Sequence, residues 1–146
     1  MIRVDHAIDV DRPAHEVFDR LVRIENLPRW QPAILEAELT SPGPIGVGST
    51  ARIVVSAAGQ RTEATGAITA FERPRVIALE ATAGSAEIAA RVEVAPLTAT
   101  SCRVSIGTTV KLGGMLRFVE GIARSRIETE APAAAASAKA WLESGA

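Results

Sequence analysis

The chain opens on a strict alternation, with Ile2, Val4, His6, Ile8 and Val10 on one face and Arg3, Asp5, Ala7 and Asp9 on the other. Period two belongs to a half-buried strand, so the pattern predicts a strand over residues 2–10. The period then changes. Asp11-Arg12-Pro13 supplies a capping acid and a proline whose fixed φ suits a first helical turn, and Ala14, Val17, Phe18, Leu21 and Val22 follow at helical spacing. This is a short amphipathic helix. Pro28 and Pro32 stop it from continuing, because each lacks an N–H and restricts the residue before it, and Trp30 lies between them.

Six further β-type segments are predicted over 33–40, 49–57, 61–71, 75–83, 85–95 and 101–112. They are separated by turn signals at Ser41-Pro42-Gly43-Pro44, Gly59, Arg73-Pro74, Gly84 and residues 96–101. Strands so closely spaced pair antiparallel, since a parallel return needs a crossover of a dozen residues or more. After Gly113-Gly114 the period becomes helical. Leu116, Val119, Ile122, Ala123, Ile127, Ala131, Ala134, Ala135, Ala138, Trp141 and Leu142 read as one apolar stripe on a helix from about 115 to 142, interrupted near Pro132. Without a repeat, linker or composition break, residues 1–146 read as a single domain.

The order predicts an α+β architecture: a seven-stranded, curved antiparallel sheet around a long C-terminal helix, with short helices after strand 1. Alternation turns many small residues inward, among them Ala51, Ala64, Gly66, Ala70, Ala81, Ala86 and Ala90. Either they let the helix approach the sheet closely or they leave volume unfilled. Small residues facing an alanine-rich helix are hard to bring to native density, which favours an internal apolar cavity lined by Ile53, Ile68, Leu79, Ile88, Ile106, Phe118 and Ile122.

Composition narrows the partners. With 47% hydrophobic and 23% charged residues the chain reads as an ordinary globular domain, and a net charge of −1 offers no cationic surface for nucleic acid. No apolar run is long enough to insert into a membrane, and no export signal precedes the first strand. A single cysteine, Cys102, fits a reducing compartment, so a cytoplasmic location is expected.

Several motifs then take on a joint meaning: Ile8-Asp9-Val10-Asp11-Arg12-Pro13-Ala14-His15-Glu16-Val17-Phe18, Leu27-Pro28-Arg29-Trp30-Gln31-Pro32, Gly46-Val47-Gly48-Ser49 and Phe71-Glu72-Arg73-Pro74. Their order and spacing, with the terminal helix, resemble the START-like (SRPBCC) superfamily and its polyketide cyclase/dehydrase family over essentially the whole chain. The resemblance implies a helix-grip fold. It leaves the activity open, because that superfamily holds carriers, aromatase-cyclases, lipid binders and co-chaperones. It also implies that Trp30 lies at the cavity mouth, where an indole offers a ligand a flat apolar face and one donor; the competing role is an anchor for the loop.

Catalytic candidates are sparse, and no residue is assigned a catalytic role. His6, on the apolar face of the first strand, is either a general base or a core residue, and the second carries more weight because no acid stands beside it to orient it. Thr62 and Thr108 are the other polar groups facing in, while Glu63, Glu87 and Glu93 face out. His6, His15 and Cys102 form no metal pattern, so no metal is expected. The glycines of residues 41–50 lack the lysine and following helix of a phosphate loop, and no cofactor is expected. The reading that results is binding of a small hydrophobic molecule (lipid, sterol or polyketide-like), with Trp30, His6, Thr108 and the isoleucine, leucine and phenylalanine positions above as its site. The alternatives are a polyketide cyclase or dehydratase and a protein-interaction module. A monomer and a homodimer are both compatible with the sequence.

Overall fold

In the computed structural model seven strands form one sheet, wholly antiparallel, in the order β1-β7-β6-β5-β4-β3-β2. Residues 1–57 and 60–144 are described, the side chains of Ala57, Met115 and Leu116 excepted; the turn signal at Gly59 and the stripe position Leu116 lie outside the described residues. The elements are β1 (Ile2–Val10), α1 (Ala14–Leu21), α2 (Leu27–Trp30), β2 (Ile34–Leu39), β3 (Thr50–Ala57), β4 (Gln60–Glu72), β5 (Val76–Ala83), β6 (Ala86–Thr98), β7 (Ser101–Leu112) and α3 (Glu120–Ser144). A 3-10 turn over Ile24–Asn26 joins α1 to α2, and another over Gly114–Val119 leads into α3. Each strand expected from alternation is present, within a few residues of its expected ends.

The core gathers where α1, α2 and the end of α3 meet the sheet. Phe18 and Val17 of α1 are fully buried, as are Cys102 and Val104 of β7, with Leu142 of α3 among them. Each large apolar side chain taken fully out of water there stabilises the fold by roughly 1.5–3 kcal/mol. Phe18 also meets Phe71 edge-on, with ring centroids 5.8 Å apart. Alternation alone would turn Ala70 inward. A bulge between Ile68 and Ala70 shifts the register, so that Phe71 pairs with Ile77 and takes the inward place instead.

Helix α3 lies beside β1 and against α2. It is tied at both ends. The Met1 ammonium meets Glu120, and Arg124 donates to the Met1 carbonyl at 2.8 Å. At the far end Arg12 donates to the Glu143 carbonyl at 2.9 Å, Arg20 to the Leu142 carbonyl at 2.8 Å, and the Asp11 N–H to the Glu143 carboxylate at 3.0 Å. The lengths agree, since the stretch from Met1 to Asp11 at roughly 3.3 Å per residue and that from Glu120 to Glu143 at roughly 1.5 Å per residue each span about 35 Å.

Two expectations about this helix fail. It runs unbroken through Pro132, where an interruption was expected. Proline removes only the bond to the Glu128 carbonyl; that turn is exposed, so water can take the bond's place, and the alanines that follow favour helix. The stripe also divides. Ala123, Ile127, Ala131, Ala134, Ala138 and Leu142 turn toward the protein, each at least half-buried, whereas Phe118 is 90% exposed and Ile122 74% exposed.

Candidate functional site

Strand register decides which candidate residues become neighbours. Residues directly opposite in an antiparallel pair share a face, and three rows cross the concave side of this sheet. One joins Val4, Thr108, Ala90, Leu79 and Ile68; a second joins Ile2, Val110, Ile88, Ala81, Gly66 and Ala51; a third joins His6, Ile106, Val92, Ile77 and Phe71. The register therefore gathers His6, Ile68, Leu79, Ile88, Ile106 and Thr108 on one surface. Ile53 belongs to the same apolar cluster, opposite Ala64.

The rows are unevenly covered. Ile53, Ile68 and Ile106 are buried, while Val4, His6, Leu79, Ile88, Ala90, Thr108 and Val110 are half-buried. This half-buried strip crosses the concave face from β1 through β7 and β6 to β5. Phe118 and Ile122 are not part of it. They were expected to line an internal void, and their exposure removes them from it: they sit about a quarter-turn round the helix from the Ala123–Ile127 line that faces the protein. Two shallow depressions lie on the surface, one beside Ile122 and Arg126 and one between α1 and the 41–49 loop. The concave face thus carries a continuous strip of half-buried, mostly apolar side chains.

Some of those small residues serve close packing. A Cβ on Gly66 would lie 3.1 Å from Leu79 Cδ1 and 3.3 Å from the Glu80 carbonyl oxygen, so only glycine lets β4 and β5 meet there without adjustment. Ala51, Ala64, Ala81 and Ala83 are buried alongside.

Among the described residues, the buried side-chain nitrogens His6 Nδ1, Trp30 Nε1 and Trp141 Nε1 have no hydrogen-bond partner in the protein. A buried polar group left unpaired costs about 1–3 kcal/mol, so each is a group a ligand oxygen would relieve. Trp30, at the end of α2, is only 5% exposed. Its ring helps fill the core, which is the anchoring role, while its N–H stays unspent. Trp141 packs partly against the core beneath the Arg20 guanidinium, 4.2 Å from the ring centroid. Sequence reasoning placed Trp141 on the stripe without making it a candidate; a tryptophan on the inward side of an alanine-rich helix was the available signal.

Burial lowers the His6 pKa, partly offset by the Asp5 carboxylate, so the imidazole is neutral at pH 7. Burial also raises the pKa of the Cys102 thiol, with Asp9 adding to the effect, and Cys102 is fully buried. The acids stay outside. Glu63 and Glu87 carry ion pairs to Arg52 and Lys111, and Glu93 pairs with Arg91 at 2.9 Å, all on the exposed side of the sheet. Among the described residues no three His, Cys, Asp or Glu side chains converge as metal ligands, and no helix is long and apolar enough to cross a membrane.

Comparison with known proteins agrees with this architecture. Residues 1–143 match the profile of the family described as polyketide cyclase / dehydrase and lipid transport. The Zhui aromatase/cyclase from Streptomyces sp. R1128 superposes with a TM-score of 0.78 at 17% identity, covering 97% of this chain and 93% of that one. A START superfamily protein from Mycobacterium smegmatis superposes with a TM-score of 0.75 at 18% identity, over 97% of each chain. TTHA0849 from Thermus thermophilus gives 0.75 at 15% identity, over 98% of this chain and 95% of that one. At these identities the likeness establishes the helix-grip fold. No curated protein sequence matches the chain.

Proposed function

The chain belongs to the polyketide cyclase / dehydrase and lipid transport family, and from that premise we propose that it binds one small, largely apolar molecule in the cleft between α3 and the concave face of the sheet, in the cytoplasm. The observation that carries this reading is the half-buried strip of Val4, Leu79, Ile88, Ala90, Thr108 and Val110 next to His6, whose buried Nδ1 lacks a protein partner. Apolar contact supplies affinity, and unpaired donors select for orientation. The ligand class is therefore a lipid, sterol or polyketide-like molecule bearing at least one acceptor oxygen. A purely hydrocarbon molecule leaves the indole N–H of Trp30 unpaired and binds less well.

A second reading, a cyclase or dehydratase acting on such a molecule, draws on His6, whose neutral imidazole sits on the concave face. It lacks a partner acid, since Glu63, Glu87 and Glu93 are all exposed on the other side. Binding without turnover is the simpler account of these groups.

The test needs no knowledge of a reaction. A ligand that binds only the folded state stabilises it by about 2.7 kcal/mol at a hundredfold excess over Kd. For a domain of this size that raises Tm by roughly 5–10 °C. Fatty acids, sterols, flavonoids and aromatic polyketides are the panel, with matched hydrocarbons, nucleotides and sugar phosphates as controls. At least one oxygenated apolar compound should give such a shift, and Trp30→Phe should weaken its binding about five- to tenfold, the worth of one hydrogen bond. A flat response across the apolar panel, or a shift with nucleotide alone, refutes the reading.

A further inference from the structure

The outer face at the start of α3 has no role in the cleft. Phe118 and Ile122 are 90% and 74% exposed, Val119 is 43% exposed, and Ser125 and Arg126 continue the same side of the helix one turn later. Such a cluster of large apolar side chains, one turn apart and turned to water, marks a surface that another surface covers. It also has the relief of a helix-packing site: Ile122 stands beside a shallow depression bordered by Gly121, Ser125 and Arg126, and nothing lies within 4 Å of the place a Gly121 Cβ would occupy.

We propose that this face is a homodimer interface, in which the 3-10 turn of Gly114–Val119 and the first turns of α3 that continue it cross antiparallel with those of a second copy about a two-fold axis at Ile122. The argument is self-complementarity. An isologous contact must match a patch to its own image, so residues equally far before and after the axis meet. Phe118 lies four residues before Ile122 and Arg126 four residues after it. Antiparallel crossing therefore lays each Arg126 guanidinium on the partner's Phe118 ring, a cation–π pair made twice, while Ile122 meets its symmetry mate and seats in the depression beside Gly121. Arg126 is already held on this face by Glu130 at 3.5 Å.

A lipid surface is the less suitable occupant. It would call for free cations flanking the apolar residues. Here Arg124 is turned to the Met1 carbonyl and Glu120 and Arg126 to Glu130, which leaves Arg117, among the described residues, as a single cation beside the apolar cluster. The contact area of one helix crossing belongs to the small, transient class of interfaces, below roughly 1,200 Å², so the dimer should form and dissociate with concentration.

Sedimentation velocity on the full chain from about 1 to 200 µM, the range suited to an interface of that class, should show a monomer–dimer equilibrium. Phe118→Glu with Ile122→Glu should hold the protein monomeric at every concentration, with an unchanged circular dichroism spectrum, because both positions are exposed. Ile122→Cys should form a disulfide-linked dimer under mild oxidation, since the axis brings the two thiols together and Cys102 is fully buried. Ala136→Cys, exposed farther along α3, should not cross-link. A monomer throughout, a dimer that survives the double substitution, or a dimer that does not link through position 122 overturns the proposal.

Discussion

Leu142 and Ile122 stand on the same helix and the same sequence stripe, yet they are 1% and 74% exposed. Truncating each to alanine separates what periodicity suggests from what packing does. Leu142 sits in the core cluster with Ala138, at the end of α3 pinned by Arg12 and Arg20. Removing its branched end deletes buried methyl groups and leaves a cavity that the tethered helix end cannot close by shifting. Leu→Ala at such sites costs about 2–5 kcal/mol, and a central value near 3 kcal/mol lowers Tm by roughly 6–12 °C for a domain of this size. Ile122 loses little contact within its own chain. Alanine also has the higher helix propensity, so Ile122→Ala should change stability by less than about 0.5 kcal/mol. Urea denaturation followed by circular dichroism near 1 µM, where association through this face is negligible for an interface of its class, measures both. Equal losses would mean that Ile122 packs inside the protein, against its exposure here. A silent Leu142→Ala would mean that α3 is not anchored where the hydrogen bonds of its last turn place it.

Three shorter predictions follow from the same structure. Gly66→Val, forcing a branched side chain against Leu79 and the Glu80 carbonyl, should cost about 1–3 kcal/mol in a denaturant melt; a neutral result would show that β4 and β5 can separate freely. The folded-state pKa of His6 lies below its ordinary value of 6.5, so the unfolded chain binds the extra proton; stability is present above 6.5 and is lost as pH falls from there through the lower folded value. His6→Gln should flatten the stability difference between pH 7.5 and pH 5 relative to the native chain, and an unchanged slope would refute the assignment. Cys102, fully buried and with a raised pKa, should react with an aromatic disulfide reagent only after unfolding, and rapid native labelling would contradict its burial.

Local pattern determined much of this protein. Alternation in residues 2–10, proline and glycine punctuation between later runs, and the change of period after Gly113 were enough to specify seven antiparallel strands, a helix after the first and a long one at the end. These features depend on side-chain spacing within one segment, which a sequence displays directly. The inward list for β4 held up to Ile68 and then failed, because a bulge is an irregularity between two strands and leaves no mark in either one alone. The stripe of α3 failed for a related reason. Its apolar residues cover two adjacent lines on the helix, Phe118–Ile122 and Ala123–Ile127–Ala131–Ala134–Ala138–Leu142, and helical periodicity cannot say which line meets the sheet. Tertiary placement beside β1, held by Met1 at one end and by Arg12 and Arg20 at the other, chose the second line.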